Sequence, residues 1–128
     1  MVCLDSDILI DFLNNKKEAV QKINELKKEN IALSITSINS FELLNIASKE
    51  KLEKIRNFLF NFRVYNFDFE SSEKAAQIFQ ELKSRGAILD LAEIMIAAIA
   101  LSNDETLLTR NIKHFERIKE LKLEKLNL

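Results

Sequence analysis

The chain has 128 residues, of which 47% are hydrophobic and 30% charged, enough for one domain with a buried core (residues 1–128) and too few for a second. Nineteen Lys and Arg stand against 20 Asp and Glu, a formal net charge of -1, so bulk positive charge cannot hold this protein to nucleic acid or anionic lipid. A single cysteine (Cys3) rules out an internal disulfide, Cys3 with the single histidine (His114) cannot build a structural zinc site, and one glycine (Gly86) cannot supply GxGxxG or a P-loop.

In chain order, short apolar runs alternate with helical spacing. Val2–Leu4 reads as a strand, and Ser6 can cap a first helix through Leu13. Residues 17–28 carry Val20, Ile23 and Leu26 at three-residue intervals between charges, an amphipathic helix. Residues 31–35 read as a second strand, with Thr36 or Ser37 capping a helix over 38–47. Residues 49–60 continue helically through Leu52, Ile55 and Leu59, and 63–67 form a third strand. Residues 71–85 carry Ala75, Ile78, Phe79 and Leu82, with Gly86 placed to end that helix. A helix over 91–101, a strand at 106–108, a short helix near 113–119 and a weaker strand within 121–126 complete the series. Asn14, Asn15 and Asn103 stand in turns where glycine would be usual. Strands alternating with helices predict a parallel α/β sheet covered on both faces. The longest apolar run, 94–101, is far short of the roughly 20 residues that span a bilayer. With no signal core at the start, a reduced, cytoplasmic location is expected.

Most of the 20 acidic residues read as solvated, Glu18 and Glu25 among them. Four do not. Glu93 lies in a stretch, residues 88–101, that is apolar on all sides, so its carboxylate is expected to be withdrawn from bulk water. Asp90, three residues earlier, shares its helical face and is open to two uses, a helix cap with Glu93 as capping-box partner or a ligand. Glu42 lies in another helix with little polar surface, where a basic partner could neutralise it. Asp5 ends the first strand, at the carboxyl end where open parallel sheets bind ligands, although it could merely cap the next helix. Asp7 could be a ligand or a charge favouring the helix N-terminus, and the second use fits better. Asn111 holds the corresponding place after the fourth strand, where a turn Asn is the default. Acids brought together in one pocket would repel one another, and oxygen ligands of this kind suit Mg²⁺ or Mn²⁺.

The composition narrows the remaining chemistry. One histidine excludes a ribonuclease that uses two as acid and base, and no serine stands in a nucleophile-elbow sequence. Cys3 reads as a packed thiol in a core strand. Carboxylate-held metal is the apparatus for which parts are in surplus. A haloacid-dehalogenase-like phosphatase is a remoter alternative, suggested by a strand followed by Asp5-x-Asp7, and would make Asp7 essential and Glu42 dispensable.

Four segments together resemble the PIN-domain family, in particular the small VapC-type toxins of prokaryotic toxin–antitoxin pairs. LDSDILIDFL (4–13) is similar to that family's LDT-x-hLIDhL opening, and TSINSFEL (36–43) to its second acidic motif. ILDLAEIMIAA (88–98) resembles the ILDDADILIAA element, and LTRNIKHFERI (108–118) the LVTRNxKHFxRI element. They occur in family order over nearly the whole chain.

The resemblance implies a three-layer α/β/α fold with a central parallel sheet of about four to five strands and an acidic cluster at one end. By position, Asp5, Glu42 and Glu93 take the places of the three principal acids, Asn111 that of a fourth, and Asp90 the first acid of the DDAD element. Two departures stand out: Glu93 replaces the usual Asp, and Leu91 replaces the second acid of that element. The implied activity is Mg²⁺- or Mn²⁺-dependent endonucleolytic cleavage of RNA, leaving a 5′-phosphate and a 3′-hydroxyl. Asp5 and Glu93 would ligate metal directly, with Glu42, Asp90 and Asn111 binding metal, water or a second ion. Arg110, Lys113 and His114 could touch backbone phosphates, or form a solvated basic run. A homodimer and a cognate antitoxin are the implied partners, with no membrane. The alternative is a PIN domain weakened at Glu93 that serves as a binding module for RNA or antitoxin. The aromatic stretch 58–62 could join an interface or pack in the core.

Overall fold

The computed structural model describes residues 1–126. In chain order the elements are β1 (Val2–Leu4), α1 (Ser6–Leu13), α2 (Lys17–Lys28), β2 (Leu33–Thr36), α3 (Ser37–Ile46) and α4 (Leu52–Leu59). They continue with β3 (Arg63–Tyr65), α5 (Phe69–Ser84), α6 (Leu91–Ser102), β4 (Thr106–Leu108), α7 (Ile112–Phe115) and β5 (Leu123–Glu124). The five strands form one sheet in the order β3-β2-β1-β4-β5, and every pairing is parallel. The expected α/β class and parallel sheet are therefore present.

Strand alternation sets the two layers of core. Along β1, Cys3 faces one side and Val2 and Leu4 the other; along β4, Leu107 and Leu108 divide in the same way. One side is packed by α5, α6 and Phe115 of α7, the other by α1, α2, Leu43 of α3 and Leu59 of α4. Both faces of each short central strand are buried, which explains why β1 and β4 read as unbroken apolar runs.

The strand order places the site. The chain winds outward from β1 to β2 to β3, then returns past β1 to lay β4 on its other side. The crevice between the carboxyl ends of β1 and β4 is thus the topological switch point, where open α/β sheets bind ligands. Asp5 follows β1 there and Thr109 follows β4, joined where Asp5 N donates to Leu108 O at 2.9 Å.

Several local expectations shift. Asp5, not Ser6, is the N-cap of α1, its Oδ1 accepting from Ser6 N at 2.8 Å. Thr36 caps α3 in a reciprocal box with Asn39. The third strand stops at Tyr65 because Asp68 starts α5 two residues earlier than the apolar spacing suggested, accepting from Ser71 N at 2.9 Å. α4 begins at Leu52, after a turn closed by Lys51 N donating to Ser48 O at 3.0 Å. Left-handed backbone occurs at Asn15 and Asn30 as the composition suggested, but at Asp104, one residue after Asn103. Gly86 does end α5, with φ of 69°.

The stretch 88–101 is not buried throughout. Ile94 and residues 96–100 are core, whereas Ile88 and Leu91 are 80% and 61% exposed. The aromatic stretch divides as well: Phe58 stacks on Phe12 and meets Phe62 edge-on, while Phe60 is exposed beneath the Arg56 guanidinium. Among the described residues no helix is long and apolar enough to cross a membrane.

Candidate active site

Asp5 is 6% exposed although its carboxylate sits at the open end of the sheet. Three donors hold it: Ser6 N to Oδ1 at 2.8 Å, Thr109 Oγ1 to Oδ2 at 2.7 Å, and Asn39 Nδ2 to Oδ1 at 3.4 Å. Burial pushes its carboxyl up from 3.8 to about 6, and the neighbouring Asp7 carboxylate adds to the rise. The Thr109 and Ser6 hydrogen bonds oppose that shift, and Glu42 adds a smaller push upward.

Asp7 belongs to the same cluster. Burial raises its carboxyl as well, against the pull of the Arg110 backbone N–H and guanidinium. Its Oδ2 accepts from Arg110 N at 3.1 Å, while its Oδ1 is buried without a hydrogen-bond partner. A carboxylate oxygen in that condition is costly in apolar surroundings, so the helix-terminus role alone does not explain this residue.

Glu42 is half-buried on α3 and joins the cluster through a hydroxyl. Ser6 Oγ donates to Glu42 Oε1 at 2.6 Å, and Asn39 Nδ2 donates to Ser6 Oγ at 2.9 Å. Asn39 is itself fully buried, its Oδ1 accepting from Thr36 N and Thr36 Oγ1 at 3.0 and 2.7 Å. No basic side chain neutralises Glu42 among the described contacts. α3 nevertheless exposes Phe41 and Ile46, so this helix is less enclosed than its sequence suggested.

Glu93 and Asp90 form a second group, at the start of α6. Glu93 Oε1 accepts from Asp90 N at 3.4 Å, as in a capping box, and Glu93 Oε2 lies 2.9 Å from His114 Nδ1. The two groups are linked through the loop after β4. Asn111 N donates to Thr109 Oγ1 at 3.0 Å and then opens α7, which carries His114 one turn later. Asn111 is exposed, as is Lys113. Arg110 is drawn toward the acids, its Nε pairing with Asp11 Oδ2 at 3.0 Å and lying 3.9 Å from Asp7 Oδ2, while about half of its side chain stays exposed. His114 likewise faces Glu93. Among the described residues no three His, Cys, Asp or Glu side chains converge closely enough to enclose an ion.

Three contributors escaped the sequence reading: Thr109, Asn39 and, as a side chain rather than a cap, Ser6. Thr109 is the informative one, since its single hydroxyl donates to Asp5 and accepts from Asn111 N, tying β1 to the β4–α7 loop. Thr109→Val keeps the shape and removes both bonds. At pH 7 it is expected to cost about 2–3 kcal/mol in urea unfolding, the scale of a buried hydrogen bond to a charged group. The Asp5 carboxyl should then titrate higher than in the wild type, which a carbon-13 NMR titration of that side chain would read.

The PIN-domain family model matches residues 2–121. Ribonuclease VapC1 of Methanocaldococcus jannaschii is 32% identical over 123 residues, covering 95% of this chain and 84% of that protein. The VapBC2 structure from Rickettsia felis, bound to a DNA fragment from its promoter, contains a chain that superposes with a TM-score of 0.86 at 27% identity, over 98% of both chains. A toxin–antitoxin complex from Klebsiella pneumoniae gives 0.81 at 26% identity, over 99% of this chain and 98% of the other.

Proposed function

The chain belongs to the PIN-domain family, and from that premise we propose that it is a VapC-like toxin, an endoribonuclease that hydrolyses RNA phosphodiester bonds and is neutralised by a cognate antitoxin. The observation that carries this reading is the Asp5 carboxylate, buried at the switch point and crowded by Asp7 and Glu42. Such a group is costly to the fold unless it serves a ligand. Membership of this family leaves the phosphatase alternative without support.

A divalent ion fits this donor set. The available atoms are hard carboxylate oxygens, and the partnerless Asp7 Oδ1 adds an unsatisfied acceptor beside them. Mg²⁺ commonly uses only one or two carboxylates and keeps several waters, so a closed cage of protein ligands is not required. Asp5 and Glu93 would hold Mg²⁺ or Mn²⁺, with Glu42, Asp90 and Asn111 binding it indirectly, to a second ion, or through water. When bound, the ion supplies Lewis-acid polarisation of a phosphate oxygen and a water of lowered pKa.

The chain's own residues do the rest. Thr109 and Ser6 N fix the Asp5 carboxylate in one orientation, and Ser6 Oγ holds Glu42 beside it. Lys113, exposed next to Asn111, can reach a backbone phosphate, with Arg110 available once it leaves Asp11. The exposed Phe41, Ile46 and Leu91 suit burial against a second copy or the antitoxin, and a cytoplasmic location goes with an RNA substrate.

A second reading, a weakened PIN domain that binds RNA or antitoxin without cutting, is favoured by Glu93 facing His114 rather than Asp5. Antitoxin-free protein incubated with RNA and Mn²⁺ or Mg²⁺, beside an Asp5→Asn control, separates the two. The toxin reading expects cleavage by the wild type that stops with chelator. Equal cleavage by both proteins, or none by either, would sink it.

A further inference from the structure

Glu93 differs from the other acids of the cluster in how it is held. Asp5 is fixed by the Ser6 backbone, the Asn39 amide and the Thr109 hydroxyl, and Glu42 by the Ser6 hydroxyl, whereas Glu93 is met by the only histidine in the chain. His114 Nδ1 lies 2.9 Å from Oε2, and it is the ring tautomer carrying its hydrogen on Nδ1 that donates to this oxygen. The other oxygen, Oε1, has a longer hydrogen bond of 3.4 Å from Asp90 N. One oxygen is therefore firmly anchored and the other lightly held.

The length of the side chain makes this contact matter. A glutamate has one more rotatable bond than an aspartate, and more freedom is lost when it is fixed. An aspartate at the same position would hold its carboxylate about 1.5 Å further back, out of reach of the imidazole. His114 also rides on α7, which starts from Asn111, and Asn111 N is bonded to the same Thr109 hydroxyl that holds Asp5. The loop that orients Asp5 thus also carries the group that orients Glu93.

We infer that His114 is a positioning residue for Glu93: it anchors Oε2 so that the longer carboxylate presents Oε1 to a divalent ion. This assigns His114 to the metal site rather than to a phosphate, and it rests on the metal-dependent reading above. Hydrogen-bonded partners of metal-binding side chains typically change metal affinity 10- to 100-fold when removed.

The test titrates Mn²⁺ alone into full-length, antitoxin-free protein, with binding followed by electron paramagnetic resonance and folding checked by circular dichroism. His114 is half-exposed, so its replacement should leave the fold intact. His114→Ala is expected to weaken Mn²⁺ binding by about 10- to 100-fold. His114→Asn should restore most of the loss, because its Nδ2 stands where the imidazole Nδ1 stood, whereas His114→Gln, which mimics the other nitrogen, should not. In a Glu93→Asp background His114→Ala should have no further effect. Unchanged or tighter binding by His114→Ala, failure of the Asn variant to rescue, or a full additional loss in the Glu93→Asp background would each overturn the inference. Asp5→Asn separates its failure from that of the reading beneath it. If that variant binds Mn²⁺ like the wild type, the metal site itself is wrong and the role of His114 falls with it. If Asp5→Asn loses Mn²⁺ while His114→Ala retains it, only the positioning role falls.

Discussion

Asp5→Asn is expected to abolish RNA cleavage and, in metal-free buffer at pH 7, to melt roughly 10 °C above the wild type. The gain follows from linkage. The Asp5 carboxyl is raised by burial from 3.8 to about 6, so between those values the folded protein binds a proton that the unfolded chain has released. Wild-type stability therefore falls as pH rises from about 4 to about 6, and the full loss persists at pH 7. At about 1.4 kcal/mol for each tenfold change, it amounts to about 3 kcal/mol. Asp7, raised in the same direction by burial, adds to the trend.

Asparagine removes the charge and keeps the contacts. Its Oδ1 can accept from Ser6 N, since Asn caps helices as well as Asp does, and its Nδ2 can donate to Thr109 Oγ1. The measurement is thermal melting of both proteins from pH 3.5 to pH 8, with and without Mn²⁺. The two curves should meet at the acid end and separate through pH 6, and Mn²⁺ should stabilise the wild type alone. Cleavage should drop by at least about 100-fold, the scale of losing one preorganised electrostatic group. Equal melting temperatures at pH 7 would mean that Asp5 is not held charged against a cost.

What could be read from the sequence was local, and what escaped it was long-range. Val2–Leu4 followed by Asp5 announces a strand carrying an acid at its end, and Thr106–Leu108 announces its counterpart, with Asn111 in the loop that follows it. The cap at Asp90 is legible because a capping box needs only three residues of spacing, whereas Thr36 stands as a cap candidate, beside Ser37, on residue type alone. Nothing local singles out Thr109 or Asn39, which are ordinary polar residues until the sheet brings Asp5 to them across 104 and 34 positions of sequence. Arg110 misled for the related reason that a basic run looks solvated or phosphate-binding, while its partners Asp7 and Asp11 lie on a helix a hundred residues earlier. Composition overstates the burial of residues 88–101 for the same reason: it does not reveal that the first turn of α6 leaves Leu91 exposed.

α7 exposes the same dependence on tertiary structure more sharply, and Phe115→Ala is the prediction that probes it. Four residues cannot sustain a helix alone, because nucleation consumes the backbone freedom of its only turn. Phe115 is fully buried, packed in the core layer that also holds Cys3, Leu107 and Ile118. It is therefore the anchor that keeps Asn111 beside Thr109 and His114 beside Glu93. Truncation to alanine should cost about 3–5 kcal/mol in urea unfolding, a large share of the roughly 5–15 kcal/mol typical of a domain. Phe60→Ala, at an exposed ring, should change stability by less than about 0.5 kcal/mol and serves as the control. Below the unfolding transition, Phe115→Ala should also lose amide protection at Phe115 and Glu116, whose N–H groups donate to Asn111 O and Ile112 O. Retained protection there, or a cost below about 1 kcal/mol, would mean that α7 is held by its own turn and that Asn111 and His114 owe their positions to something other than this ring.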